Sequence, residues 1–319
     1  MSFPSPSLTP PTLANWQFSY NGALIGSAQP AGVLQVQGLG DLATIRSGDI
    51  ARPRDHGELI GLDVFGGRDI QINVAAFTDA TSLQDTLNAI ANATPVGLTT
   101  EQPLWFNIPG YPAPLAAMCR TRKRATPWDF NYSAAVFGQP VLSLHATDPR
   151  IYAAGQQVTV GLPNPTSGMT FPATFPLTFG SGGSGGVTVT NAGNTEMRPV
   201  LVITGPVTNP SVRNASIASV PTLKFSNPFQ TTYTVLTGDQ LVVDLDLHTV
   251  LYYTGGILSG SAPASRGAWL VSGSTWWDLL PASGPNSISG GNNTIQFLSQ
   301  DSASVAGTCT VQWASAYQL

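Results

Sequence analysis

Near the middle of the chain, Val141-Leu142-Ser143-Leu144-His145-Ala146 reads as a pleated, half-buried strand that cannot continue past Asp148-Pro149. Proline has no amide hydrogen to give to a ladder, so Pro149 must close the strand or sit at a sheet edge. A strand that stops near the midpoint of 319 residues marks a seam between two domains, and a chain of this length can bury two cores. The seam predicts a first domain at residues 14–155 and a second at 156–319, with 156–186 as a Gly/Pro-rich bridge. Residues 1–13, rich in Pro and Ser, form an extended arm.

The elements around the seam are short and sharply punctuated. Residues 16–20 alternate as a strand, and Asn21-Gly22 supplies a tight hairpin turn. Residues 59–65 and 70–74 are two more apolar strands, expected to pair across Gly66-Gly67. Residues 131–136 lead as a strand toward the seam. A single helix is predicted, with Thr81 or Ser82 as its cap, Leu83, Leu87, Ile90 and Ala91 on one face, and Pro95 beyond its end. In the second half, strands are expected at 187–190, 200–204, 241–247, 250–253, 269–271, 294–298 and 308–313, spaced as in a jelly-roll sandwich. The fold class is therefore all-β with one short helical insert.

Charge is the anomaly. Asp, Glu, Lys and Arg make up only 9% of the residues, against roughly 25% in ordinary soluble chains. A Ser/Thr-rich sandwich has such a surface, and so does a subunit covered by its neighbours, because interface cores are depleted in charge. The net charge of −4 excludes a basic groove for nucleic acid. Much of the charge that exists falls between residues 46 and 61, in Arg46, Asp49, Arg52, Arg54, Asp55, His56 and Glu58. Arg120, Arg122, Lys123 and Arg124 form the one basic cluster, suited to a neighbour's carboxylates.

No catalytic constellation emerges. Cys119 and Cys309 lie far apart and match no metal or nucleophile pattern, so buried free thiols are expected. Gly182-x-Ser184-x-Gly186 has the spacing of a nucleophile elbow but precedes a strand instead of a helix, which makes it a linker. Asp244 and Asp246, two apart on a strand, would share one face. A glycosidase pair is one reading and a solvent-facing sheet edge the stronger one. His56, His145 and His248 lack metal spacing. No cofactor and no metal are expected. Among the late aromatics, Tyr252, Tyr253, Trp276 and Trp277 are candidates for a sugar-stacking platform. Adjacent Trp276 and Trp277 would point to opposite faces of a strand, so at most one lies in the core. No basic start followed by an apolar run marks a signal peptide, and no segment approaches the ~20 apolar residues of a membrane span. The expectation is a soluble product made in the cytoplasm.

A family resemblance adds to this reading. Ala146-Thr147-Asp148-Pro149-Arg150-Ile151-Tyr152 resembles the domain junction in distal tail proteins of long-tailed bacteriophages (siphoviruses), especially those infecting actinobacteria. Asn191-Ala192-Gly193-Asn194-Thr195-Glu196, then Pro199 and Ile203-Thr204-Gly205-Pro206, resembles the opening of that family's C-terminal domain. Gly238-Asp239, Trp277-x-Leu279, Asn293-Thr294-Ile295 and the ending from Val311 to Tyr317 follow in the family's order.

The resemblance implies an N-terminal β-rich ring-forming domain and a C-terminal galectin-like or jelly-roll β-sandwich. It implies a hexameric ring, built through a projecting arm or hairpin, at the tail tip of the virion. Such a ring joins the tail tube above to the tip or baseplate hub and receptor-binding proteins below. DNA passes through its lumen without specific binding, and the protein is neither an enzyme nor inserted in a membrane. Ring contacts are expected at Arg46, Arg52, Arg54, Asp55 and Glu58, whose alternating signs can pair across copies. The alternative is a carbohydrate-binding β-sandwich that recognises host glycans.

Overall fold

The computed structural model describes residues 9–77, 80–111, 113–128, 132, 137–163, 185–226, 234–299 and 306–319. Residues 1–8 of the arm, most of the bridge, Gly182 and Ser184, and nearly all of the strand expected at 131–136 lie outside the described residues. Among the described residues β-strand predominates, the α-helix Ala80–Ala93 stands beside it, and none of their helices is long and apolar enough to cross a membrane. It divides into two compact units. One comprises Thr9–Ala154 together with Tyr317–Leu319, and the other comprises Gly155–Ala316.

In the N-terminal unit, Gln17–Tyr20 and Ala23–Gly26 form the expected hairpin. Asn21 and Gly22 both have positive φ (46° and 87°), as a two-residue type I′ turn requires. The pairing then runs through Gln102–Asn107, Leu115–Ala125, Val141–Ala146 and Arg68–Phe77 to Ala31–Gln37. Register follows the apolar alternation. Leu142 lies opposite Ile72 and Leu144 opposite Ile70, and all four are buried, while Ser143 and Gln71 share the other face. Phe18 stacks on Phe106 in the same core, and the helix contributes Ile90.

Two local expectations fail here. Residues 59–65 do not pair with the strand after Gly66-Gly67. Arg68–Phe77 lies instead between Val141–Ala146 and Ala31–Gln37, which satisfy the backbone hydrogen bonds along its two edges. The helix is described from Ala80, so Thr81 and Ser82 lie within it and do not precede it, and Leu83, Leu87 and Ile90 are buried as expected.

Besides the short pair Val207–Thr208 with Thr234–Val235, the described residues of the C-terminal unit lie in two larger antiparallel sheets. Thr308–Tyr317, Val200–Thr204, Gln240–Asp244, Thr249–Tyr253 and Ala264–Ser265 lie in one. Gly186–Thr190, Asn292–Leu298, Ser211–Asn214 and Thr222–Lys224 form the other. Leu201, Ile203, Leu241, Val243 and Val311 of the first are buried, as are Val189, Val212, Leu223, Ile295 and Phe297 of the second. This is the arrangement of a sandwich. Trp313 Nε1 donates to the Thr190 carbonyl at 2.9 Å, tying the layers together. Buried Asn293 serves four partners: its Nδ2 donates to the Leu280 and Gly291 carbonyls, and its Oδ1 accepts from Leu280 N and Asn214 Nδ2.

Cys119 and Cys309 are both free and fully buried, one in each unit. Burial raises both thiol pKa values, that of Cys309 to about 12, so neither ionises near neutrality. Native protein should therefore leave both unlabelled by a thiol reagent, each becoming reactive only as its own unit unfolds. Rapid labelling of either under native conditions would contradict the packing.

Candidate functional site

The N-terminal sheet supports one conspicuous projection. After Ala31–Gln37 the chain turns at Gly38, where φ is 86° and a Cβ would fall 1.8 Å from the Asp69 carbonyl oxygen. Only glycine fits so close an approach. Residues 44–66 then form a long two-stranded hairpin. Ile45 lies opposite Phe65 and Arg46 opposite Val64; farther out, Ile50 lies opposite Leu59 and Ala51 opposite Glu58. Between these rungs two glycines meet, since a Cβ on Gly61 would fall 2.0 Å from the Gly48 carbonyl oxygen. Asp49 Oδ1 accepts the Gly61 amide at 2.7 Å. That bond, aided by the Ser47 hydroxyl, holds the Asp49 carboxyl below its ordinary pKa.

The base of the hairpin is anchored by a buried cation. Arg68 is 2% exposed. Its Nη1 donates to the Gly38, Leu39 and Asp41 carbonyls at 2.7, 2.8 and 2.8 Å, and its Nε donates to the Pro149 carbonyl at 3.0 Å. One guanidinium thus joins both feet of the hairpin to the Asp-Pro turn that ends the central strand. Burial lowers its pKa, with Asp41 opposing.

The hairpin itself has no core. Ile45, Ile50, Leu59, Val64 and Phe65 are exposed, Leu62 is 80% exposed and Ile60 98%. Isolated two-stranded hairpins are marginal in water, and a row of apolar side chains along one is the signature of a surface reserved for a partner. The five charged residues expected at subunit contacts, Arg46, Arg52, Arg54, Asp55 and Glu58, all lie exposed on this same hairpin. Arg52 and Asp55 approach to 3.8 Å. The sequence reading missed the apolar row beside them, because it assigned residues 59–65 to a buried pair. The signal was a run of Leu, Ile, Val and Phe inside the most charged stretch of the chain.

The remaining candidates separate. Arg122 and Lys123 are exposed, and Arg120 is half-buried. Arg124 is already engaged: its Nη1 donates to the Ala91 carbonyl and to Thr94 Oγ1, completing the C-terminal end of the helix. Trp277 is buried, which removes it from any platform. The Trp pair does not lie on a strand, and Trp276 stacks on His248 at 4.6 Å. Tyr253 is half-exposed. Tyr252 bonds Asp239 through its hydroxyl, and burial, followed by that bond, raises its pKa to about 12. The Arg266 guanidinium sits 4.5 Å over one face of the Trp269 ring.

Asp244 and Asp246 do not share a strand face, because the strand ends at Asp244. Asp244 Oδ1 accepts the amides of Asp246 and Leu247 in a turn, and Asp246 pairs with Arg198 at 3.5 Å. Residues 269–271 are not a strand either: Gly267–Trp269 is a 3₁₀ turn.

No protein-family model matches the chain, and no curated protein matches it. Among solved structures, the Dit protein of phage SPP1 superposes with a TM-score of 0.57 at 13% identity, over 93% of this chain and 98% of that one. The chain has the Dit fold. That protein is described as a paradigm of the hub adsorption apparatus in phages that infect Gram-positive bacteria. The phage P2 baseplate in its activated conformation with Ca gives a TM-score of 0.45 at 9% identity, over 93% and 97% of the two chains. The Dit likeness spans both units and fixes the all-β architecture.

Proposed function

We propose that this protein is a structural component of a bacteriophage tail tip, a ring-forming hub between the tail tube and the receptor-binding proteins. The observation that carries the reading is the hairpin of residues 44–66, an ordered arm with an exposed apolar row on a domain of Dit fold. A hairpin that projects from one copy and docks on a different surface of the next makes a heterologous contact, and such contacts close into rings when the rotation permits. The family resemblance supplies six as the ring number and a lumen wide enough for DNA. The scarcity of charge, 9% of residues, fits a subunit covered by neighbours.

Within the contact, the apolar row supplies the adhesion. Arg46, Arg52, Arg54, Asp55 and Glu58 set register and steer association. Replacing both Arg52 and Arg54 with Glu should slow ring assembly and reverse its dependence on salt, which then screens a repulsion, read by stopped-flow light scattering. Assembly kinetics unchanged in the double variant would remove both residues from the interface. A sugar-binding role receives less support, since Trp277 is buried and Trp276 stacks on His248.

A further inference from the structure

The apolar side chains of the hairpin are not confined to one of its sides. Directly opposed residues share a face, and successive rungs of a ladder alternate between faces. Ile45 and Phe65 therefore lie on one face, and Val64, opposite Arg46, lies on the other. Their exposures are 47%, 44% and 41%, so both faces are open in the subunit. Farther out the register shifts. Residues 47–49 of one strand stand against 60–63 of the other before Ile50 meets Leu59, so the second strand carries one extra residue, a bulge. Ile50 and Leu59 share a face of the distal rung, and both are exposed. A strand with one side in water alternates apolar and polar residues. Leu59-Ile60-Gly61-Leu62-Asp63-Val64-Phe65 is instead nearly continuous, the pattern of a strand covered on both faces.

Area points the same way. Residues 45–51, rising ~3.3 Å each, span roughly 23 Å, and a strand pair is about 10 Å wide, so one face offers roughly 230 Å². A stable contact takes about 800 Å² from each partner. One face falls far short, whereas two faces and the outer edge of a sheet about 10 Å thick reach roughly 700 Å².

We propose that a second copy of this chain receives the hairpin in a cleft that covers both of its faces, and not on a flat surface. This rests on the ring reading above and names the form of its contact. Charge fits an identical partner. The hairpin carries both signs, Arg46, Arg52 and Arg54 against Asp49, Asp55, Glu58 and Asp63, so it neither repels its own kind nor seeks a partner of one strong sign.

The test is thiol labelling of Val64→Cys and Phe65→Cys, one on each face, with the mass of each variant measured by light scattering. Cys119 and Cys309 are buried, so the introduced thiol alone reacts in the native protein. In the assembled protein both positions should label roughly tenfold or more slowly than in the same variants carrying Ile60→Asp/Leu62→Asp and measured as single subunits, because labelling then waits on opening of the contact. Should Phe65→Cys itself prevent assembly, Ile45→Cys reports the same face. Protection at one face alone, in a protein of multi-subunit mass, would overturn the cleft and leave the second face to a different protein. Free reaction at both faces in that assembly would remove the hairpin from the contact. A wild type that stays at the mass of one subunit would overturn the ring reading itself, and the cleft with it.

Discussion

Replacing Arg68 with methionine is expected to destabilise the N-terminal unit by about 3–4 kcal/mol, the largest single-residue effect in the hairpin region. Methionine fills much of the same volume and removes a buried charge, which by itself favours folding. Against that, the Gly38, Leu39, Asp41 and Pro149 carbonyls all lose their donor. Each bond from a charged donor is worth roughly 1.5–3 kcal/mol, and water reaching the vacated carbonyls returns part of the sum. Lysine keeps the charge but has three donors on one atom, which cannot span carbonyls lying on both sides of a planar fork. Its effect should be intermediate. The readout is the denaturant midpoint for Cys119 labelling, with Cys309 in the other unit as internal reference. A methionine variant with an unchanged Cys119 midpoint would mean that the hairpin base is held by something else.

The second large effect concerns assembly. Ile60→Asp combined with Leu62→Asp should leave the folded subunit as stable as before, because both side chains are almost wholly exposed. Surface changes of that kind stay within about 0.5 kcal/mol. The same pair should abolish self-association. Burying a leucine or isoleucine against a partner stabilises by roughly 1.5–3 kcal/mol, so losing two weakens each contact by about 3–6 kcal/mol, or roughly two to four orders of magnitude in dissociation constant. Introducing two carboxylates into an apolar contact adds a desolvation penalty. A double variant that assembles like the wild type would show that the apolar row is not the interface.

The comparison of sequence with structure turns on what is local. The Asn21-Gly22 hairpin was legible because the turn chemistry sits in the two residues themselves. The same holds for the alternation in Val141–Ala146 and for the helix face of Leu83, Leu87 and Ile90. Partner choice was not legible. Arg68–Phe77 pairs with strands beginning far away in sequence, and nothing in its residues names them.

Asp244 and Asp246 misled for a related reason. Alternation places two carboxylates on one face only while the backbone stays extended, and Asp244 ends the strand by capping the turn that follows. The hairpin exposes a deeper limit. Apolar residues awaiting a partner look in sequence like apolar residues of a core, so residues 59–65 read as a buried strand although Ile60 is 98% exposed. The charged residues of the hairpin stand out in so uncharged a chain, whereas Arg68 has no sequence signal distinguishing it from a surface arginine.

Self-assembly through the hairpin is tested most directly by the mass of the purified protein, measured by light scattering after size exclusion at two concentrations. A closed ring has one fixed size, so a single species of about six subunits that persists on dilution is the predicted result. A mass of one subunit at both concentrations, with the hairpin intact, would contradict it.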